Sequence, residues 1–272
     1  MVALEVLDRA SSIFIGGKSK DNMPKHSALT KSLAPYDQQV IFDDEPLPTC
    51  PCNIAIISKK GGGKSTLIRN LLERKESPWY KHFHRIYVVS PTAHKDPKMR
   101  DLIEDIGPDQ HWEVLNEQTL QEILDAIEAH ITEFQKKKKN KDKKPHSLLI
   151  LDDVLHDLVR KKDTRLMSKL ATTNRHIGLT NLYSVQKWNN YLPTVVRSNL
   201  DCIAFFRTDN RKELNSFVEE MPSDEEALME MYKFSTAEPY SFLFCNFYGV
   251  RPRFFKRFDE IAYKPKEKED DE

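Results

Sequence analysis

The residues Ser58-Lys59-Lys60-Gly61-Gly62-Gly63-Lys64-Ser65-Thr66 follow an apolar run, Ile54-Ala55-Ile56-Ile57. After them Leu67, Ile68, Leu71 and Leu72 recur at helical spacing. Strand, glycine loop and helix in that order form the context a phosphate-binding loop requires. Glycines let successive backbone N–H groups close around an anion, and the following helix points its positive end at it. In that chemistry Lys64 neutralises β- and γ-phosphate oxygens, and the Ser65 hydroxyl holds Mg²⁺. The strict pattern G-x-x-x-x-G-K-[ST] has glycine where Ser58 stands. A side chain fits there if the loop's first turn keeps φ below zero. The plainer reading, a glycine-rich turn with a surface lysine, leaves the coincidence of strand, Lys-Ser and amphipathic helix unexplained.

A second constellation lies downstream. Ser147-Leu148-Leu149-Ile150-Leu151-Asp152-Asp153 is an apolar strand ending in two carboxylates, a Walker B pattern. Asp152 at the strand end would hold Mg²⁺ through water, and Asp153, one position on, would polarise the attacking water. A strand ending in a helix-capping carboxylate would look the same in isolation. Gly178 to Val185 reads as a further buried strand tipped by Gln186. An amide there can bond both a γ-phosphate and a lytic water.

These groups need elements to position them. His84 to Ser90 reads as a buried strand, and Trp112 to Leu115 as a short one. From Glu117, the residues Leu120, Ile123, Leu124, Ile127, Ile131 and Phe134 mark an amphipathic helix capped by Asn116. Asp157 to Ala171 reads as a helix, followed by a turn over Thr172–His176. A short helix lies near Thr194–Asn199, a strand over Asp201–Phe206, and helices over Arg211–Glu219 and Ser223–Lys233. Tyr240–Asn246 and Val250–Phe255 look like a terminal hairpin. Val40-Ile41-Phe42 could form a strand. Gly16-Gly17-Lys18-Ser19 imitates the loop motif, but no helical pattern follows it.

Three parts are expected: an N-terminal segment over residues 1–45, a nucleotide-binding domain over 46–257, and a charged tail over 258–272. A hydrophobic content of 39% supports a folded core. Lys+Arg and Asp+Glu both number 42, so any nucleic-acid contact must be a local basic surface. Four scattered cysteines make neither a disulfide framework nor a zinc site. No apolar run approaches the roughly 20 residues of a membrane span, so a soluble, intracellular protein without membrane partners is expected. The run Lys136 to Lys144 cannot pack into a core. It is either a solvated loop or a phosphate-backbone contact through Lys136, Lys137, Lys138 and Lys139, with Lys161 and Lys162 as a second candidate patch.

A strand separates the phosphate loop from the Walker B strand, and a sensor amide follows it. That order resembles the additional-strand class of P-loop ATPases, an α/β fold with a mostly parallel central sheet flanked by helices. Asn174-Arg175-His176, Gln186, Leu192-Pro193, Arg197-Ser198-Asn199 and Phe205-Phe206-Arg207 resemble the FtsK–HerA superfamily. More narrowly they resemble the poxvirus-type genome packaging ATPases of large eukaryotic DNA viruses. The loop of that family reads G-x-x-G-x-G-K-[ST]. Gly61, Gly63, Lys64 and Ser65 match it, Ser58 departs, and Asp152-Asp153 agree. The resemblance spans roughly Asn53 to Arg207.

The resemblance implies an ATP- and Mg²⁺-dependent translocase that moves double-stranded DNA, without sequence preference, into a preformed capsid. It implies a homo-oligomeric ring, pentamer or hexamer, with ATP between subunits and capsid or portal-like vertex proteins as partners. Its place would be the host cytoplasm, at viral assembly sites or with the virion. Asp153 and Gln186 would be catalytic. Arg175 would be an arginine finger supplied by a neighbour, with Arg197 and Arg207 as alternatives. Two other classes share the loop. A nucleotide or small-molecule kinase would transfer phosphate to an acceptor, but no arginine-rich lid is visible. A nucleotide-switched assembly protein would bind ATP without turnover, and Ser58 and Asp153 are the only residues that hint at it.

Overall fold

The computed structural model describes residues 46–137, 144–156, 165–248 and 251–261. The expectations for residues 1–45, for Lys138, Lys139, Lys161 and Lys162, and for the tail beyond residue 261 lie outside the described residues.

Among the described residues nine strands form one sheet: β1 (Asn53–Ile57), β2 (Arg85–Val89), β3 (His111–Trp112), β4 (Ser147–Asp152), β5 (Leu179–Val185), β6 (Cys202–Phe206), β7 (Phe242–Asn246), β8 (Arg253–Lys256) and β9 (Asp259–Glu260). Their spatial order is β3-β2-β4-β5-β1-β6-β7-β8-β9. The first six are parallel, and β7, β8 and β9 complete the edge antiparallel. The sensor strand β5 lies between the Walker B strand β4 and the phosphate-loop strand β1. That inserted strand is what the additional-strand class requires, and the mixed α/β expectation holds.

The helices are α1 (Lys64–Glu73), α2 (Pro97–Ile106), α3 (Glu117–Gln135), α4 (Arg165–Thr173), α5 (Thr194–Arg197), α6 (Arg211–Glu220) and α7 (Glu225–Ser235). The apolar strand runs are continuous because both faces are covered. Ile54, Ile56, Leu148 and Ile150 face a core shared with α1 and α2, including Ile68 and Met99. Ala55, Ile57, Leu149 and Leu151 face a second core with α3, α4, α6 and α7, including Ile123, Leu170, Phe217 and Leu228.

Some local expectations shift. The strand expected over Trp112–Leu115 is confined to His111–Trp112. The turn expected at Thr172 begins later: α4 runs through Thr173, and a 3₁₀ turn covers Asn174–Ile177. α2 has no counterpart in the sequence reading. Its signals are ordinary ones: Asp96 accepts from Lys98 N as the cap, Pro97 is the first residue, Met99, Leu102 and Ile103 are buried, and Gly107 ends it. Among the described residues no helix is long and apolar enough to cross a membrane.

Candidate active site

The site lies at the carboxyl ends of β1, β4 and β5, where a doubly wound sheet presents its loops. Gly61 and Gly63 have φ of 76° and 109°, conformations that L side chains avoid. They turn the chain so that Gly62 N donates to Lys59 O at 3.0 Å. The first bond of α1 is Leu67 N to Gly63 O, so the amides before Leu67 have no helical acceptor. Asp96, Asn116, Asn210 and Asp224 cap α2, α3, α6 and α7 with side-chain oxygens. α1 has no side-chain cap and no acid in its first turn. Its positive end is therefore left for an anion.

Ser58 has negative φ, as a side chain at that position requires, and it is buried. A Cβ at Gly62 would stand 2.0 Å from Ser58 Oγ. The hydroxyl therefore occupies space that a side chain at 62 would need, and the glycine at 62 makes room for the serine at 58. Lys64 is buried, and its Nζ donates to Ser58 O at 3.2 Å.

Asp152 is buried between two hydroxyls. Ser184 Oγ donates to one oxygen at 2.6 Å and Ser90 Oγ to the other at 3.1 Å. Burial raises its pKa, and these hydrogen bonds and Lys64 pull in the other direction. Asp153 adopts a left-handed backbone, φ 53°, which Asp tolerates better than most residues. Its Oδ2 accepts from Gln186 Nε2 at 3.0 Å and lies 3.9 Å from Lys64 Nζ. Its Oδ1 is buried and has no hydrogen-bond partner among the described residues.

Four expected groups thus converge: the loop Ser58–Thr66, Asp152, Asp153 and Gln186, all but Ser58 and Gly62 lining one cleft. Ser65 and Asp152 make a hard-oxygen pair that suits Mg²⁺. Among the described residues, no three His, Cys, Asp or Glu side chains form a metal cage of their own. Mg²⁺ does not need one, since nucleotide phosphates and water complete its shell. Ser90 and Ser184 were not foreseen. Their only signal is a hydroxyl at the end of each strand flanking β4.

The arginines lie elsewhere. Arg175 precedes β5, whereas Gln186 follows it, so the seven-residue strand separates them by roughly 20 Å. Its NH2 donates to Asp201 Oδ1 at 2.7 Å, and Asp201 Oδ2 accepts from Asn53 N. Arg197 pairs with Glu220 and donates to Leu192 O. Arg207 follows β6 on the same edge as the phosphate loop, and is exposed. Asn199 O accepts from the buried Asn53 amide, which also reaches Ala171 O, while Asn181 donates to Asn53 Oδ1. Several residues that carry the resemblance therefore tie the strands together at the end remote from the nucleotide loop. Lys136 and Lys137 are exposed at the end of α3.

A glycine-rich loop after β1, a carboxylate pair at the end of β4 and an amide just past the strand between them make the arrangement of a P-loop ATPase. Residues 39–233, more than half of the chain, match the family described as Poxvirus A32 protein, and the chain belongs to that family. Among solved structures, it is similar to the genome packaging NTPase B204 of Sulfolobus turreted icosahedral virus 2 in complex with AMPPCP. That match has 19% identity over 75% of this chain and 96% of that one, with a TM-score of 0.54. The same NTPase in complex with ATP-γS gives 18% identity, coverage of 78% and 100%, and a TM-score of 0.51. The pCW3 conjugation coupling protein TcpA, with ATPγS, gives 17%, coverage of 78% and 62%, and 0.53. At these identities the likeness establishes the fold. No curated protein sequence matches the chain.

Proposed function

We propose that the chain is the motor subunit that drives double-stranded DNA into a preformed viral capsid at the expense of ATP. The observation that carries hydrolysis is the Asp153–Gln186 pair beside Lys64, with one Asp153 oxygen buried and unpartnered. Family membership and the similarity to the genome packaging NTPase B204 support the use made of it.

In this reading the loop amides and Lys64 bind the β- and γ-phosphates. Asp153 orients a water and takes its proton, and Gln186 fixes the carboxylate and senses the γ-phosphate. Ser65 and Asp152 would hold Mg²⁺, which when bound offsets phosphate charge. The subunits form a homo-oligomeric ring of five or six with sites at their interfaces. A neighbour's arginine completes each site, with Arg175 as candidate once it leaves Asp201. Lys136 and Lys137 are among the cations that would grip DNA phosphates without reading bases. The ring works at assembly sites in the host cytoplasm, docked on capsid or portal-like vertex proteins.

The test is ATPase rate against protein concentration, with and without double-stranded DNA. Turnover that rises with assembly and with DNA, and vanishes in Lys64→Ala, supports the motor. Hydrolysis indifferent to both concentration and DNA overturns it, and phosphate transfer to a nucleoside monophosphate would assign a kinase.

A further inference from the structure

Beside the phosphate loop the cleft is lined, on the side of the antiparallel strands, by aromatic residues. Phe206 ends β6, Phe242 starts β7, and their ring centroids are 4.8 Å apart. Phe258, between β8 and β9, meets Phe242 edge-on at 5.5 Å. Tyr240 completes the wall, and it is unusual in two ways. It is 71% exposed, among the most exposed large hydrophobic side chains described. Its backbone is left-handed, φ 59°, a conformation that bulky residues adopt at a cost and that clusters at ligand clamps.

The ring is close to the nucleotide loop. A methyl group on Gly63 would stand 3.5 Å from Tyr240 Cδ1 and 3.6 Å from Phe206 Cε1. Gly63 immediately precedes Lys64, so these rings begin where the phosphate cradle ends. The loop carrying Tyr240 is fastened to the sheet edge. Glu238 accepts from Lys256 Nζ at 2.7 Å and from Arg257 NH2 at 3.2 Å, and Arg257 N donates to Phe242 O. The same cleft is lined by Asn70 of α1 and by Arg74, which follows that helix. Asn70 lies six residues past Lys64, about 9 Å along the helix axis. The cleft thus continues past the phosphate loop to the length a ribose and base need.

We propose that Tyr240 is the stacking platform of a nucleobase subsite, which takes a purine ring against the Phe206–Phe242 wall. The inference rests on the reading of Lys64 as the phosphate-binding lysine of this same site. What the wall presents is π-face, common to adenine and guanine, so the subsite binds purines by stacking and discriminates weakly between them.

The experiment is equilibrium binding, by calorimetry with Mg²⁺, of AMP-PNP, GMP-PNP and tripolyphosphate, which has the phosphates but no base. Tyr240→Ala is expected to weaken AMP-PNP about tenfold, the order of one base–aromatic stack, and to leave tripolyphosphate unchanged. Tyr240→Phe, which keeps the π-face, is expected to bind like wild type, and wild type is expected to bind AMP-PNP and GMP-PNP within severalfold of each other. Equal weakening of AMP-PNP and tripolyphosphate, or weakening of neither, overturns the subsite. Lower self-association of Tyr240→Ala with unchanged AMP-PNP binding also overturns it, and makes Tyr240 a subunit contact. Lys64→Ala is expected to lose both ligands. If it keeps tripolyphosphate, the phosphate-loop reading fails, and that failure is separate from any result at Tyr240.

Discussion

Gln186 Nε2 donates to Asp153 Oδ2 across 3.0 Å, so the amide at the tip of β5 and the carboxylate following β4 act as one unit. The bond takes up one carboxylate oxygen and leaves the other buried and, among the described residues, without a hydrogen-bond partner, which in the proposed mechanism is the oxygen that would receive a proton. Asp153→Asn keeps the shape and removes the base. Turnover is expected to fall about 10²- to 10⁴-fold, while a non-hydrolysable ATP analogue still binds. Single-turnover hydrolysis beside analogue binding checks this. Undiminished hydrolysis would take the base role from Asp153.

The loop, the Asp152-Asp153 pair and Gln186 were legible because each sits at the end of an apolar run. Run ends of buried parallel strands meet along one edge of the sheet. The mostly parallel sheet was implied by the resemblance, but the order of its strands is a matter of pairing that the run ends do not give. What holds Asp152 was not legible either. Ser90 and Ser184 touch it only because β2 and β5 flank β4, a fact of pairing that no local spacing encodes. The Asn53 network was hidden likewise, being built from Asn181, Asn199 and Asp201 far along the chain.

Ser58 and Gly62 share one space, which predicts coupling between them. Gly62→Ala forces the Ser58 hydroxyl aside and presses on Lys59 O, 3.1 Å from the new methyl. Its affinity for ATP analogue is expected to drop about tenfold. Ser58→Gly in the same chain should return part of that loss, a coupling on the order of 1 kcal/mol. A double-mutant cycle read by analogue binding measures it, and strict additivity would show that the two positions do not compete.

A second pairing predicts a pH response of stability. His146 Nδ1 lies 2.9 Å from His82 Nε2, and His146 N donates to His84 Nδ1. Burial lowers the pKa of His82, His146 and the nearby His130, with neighbouring histidines and, for His130, Arg85 adding to it. The folded chain therefore protonates these rings at lower pH than the unfolded chain, which does so near pH 6.5. Their contribution is therefore complete above about pH 6.5 and is lost as pH falls below it. Asp152, whose pKa is raised, works in the opposite direction at lower pH, so a difference between variants is the clean readout. Urea unfolding at about pH 7.5 and pH 5.5 should show a smaller loss in His146→Gln than in wild type, by about 1 kcal/mol. Equal losses would remove the pair as the cause.

The pairing of Arg175 with Asp201 sets a structural role against a role in trans. Asp201 is 12% exposed at its side chain and also accepts from Asn53 N, whereas Arg175 is 59% exposed. Removing the guanidinium leaves a mostly buried carboxylate one partner short, and burial already raises its pKa. Arg175→Ala is expected to cost about 1–2 kcal/mol, moderated by the exposed side of the pair, and Asp201→Asn in the same chain should return part of it. A purely structural arginine predicts that turnover follows stability and recovers in the double variant. A finger predicts that it does not, because no cation then reaches the neighbour's phosphates. Mixing inactive Arg175→Ala subunits with inactive Lys64→Ala subunits separates the two. In a mixed ring, a Lys64→Ala subunit can lend its arginine to the intact loop of an Arg175→Ala neighbour. Recovered turnover on mixing assigns Arg175 in trans, and its absence in rings shown to contain both chains leaves Arg175 as the clamp on Asp201.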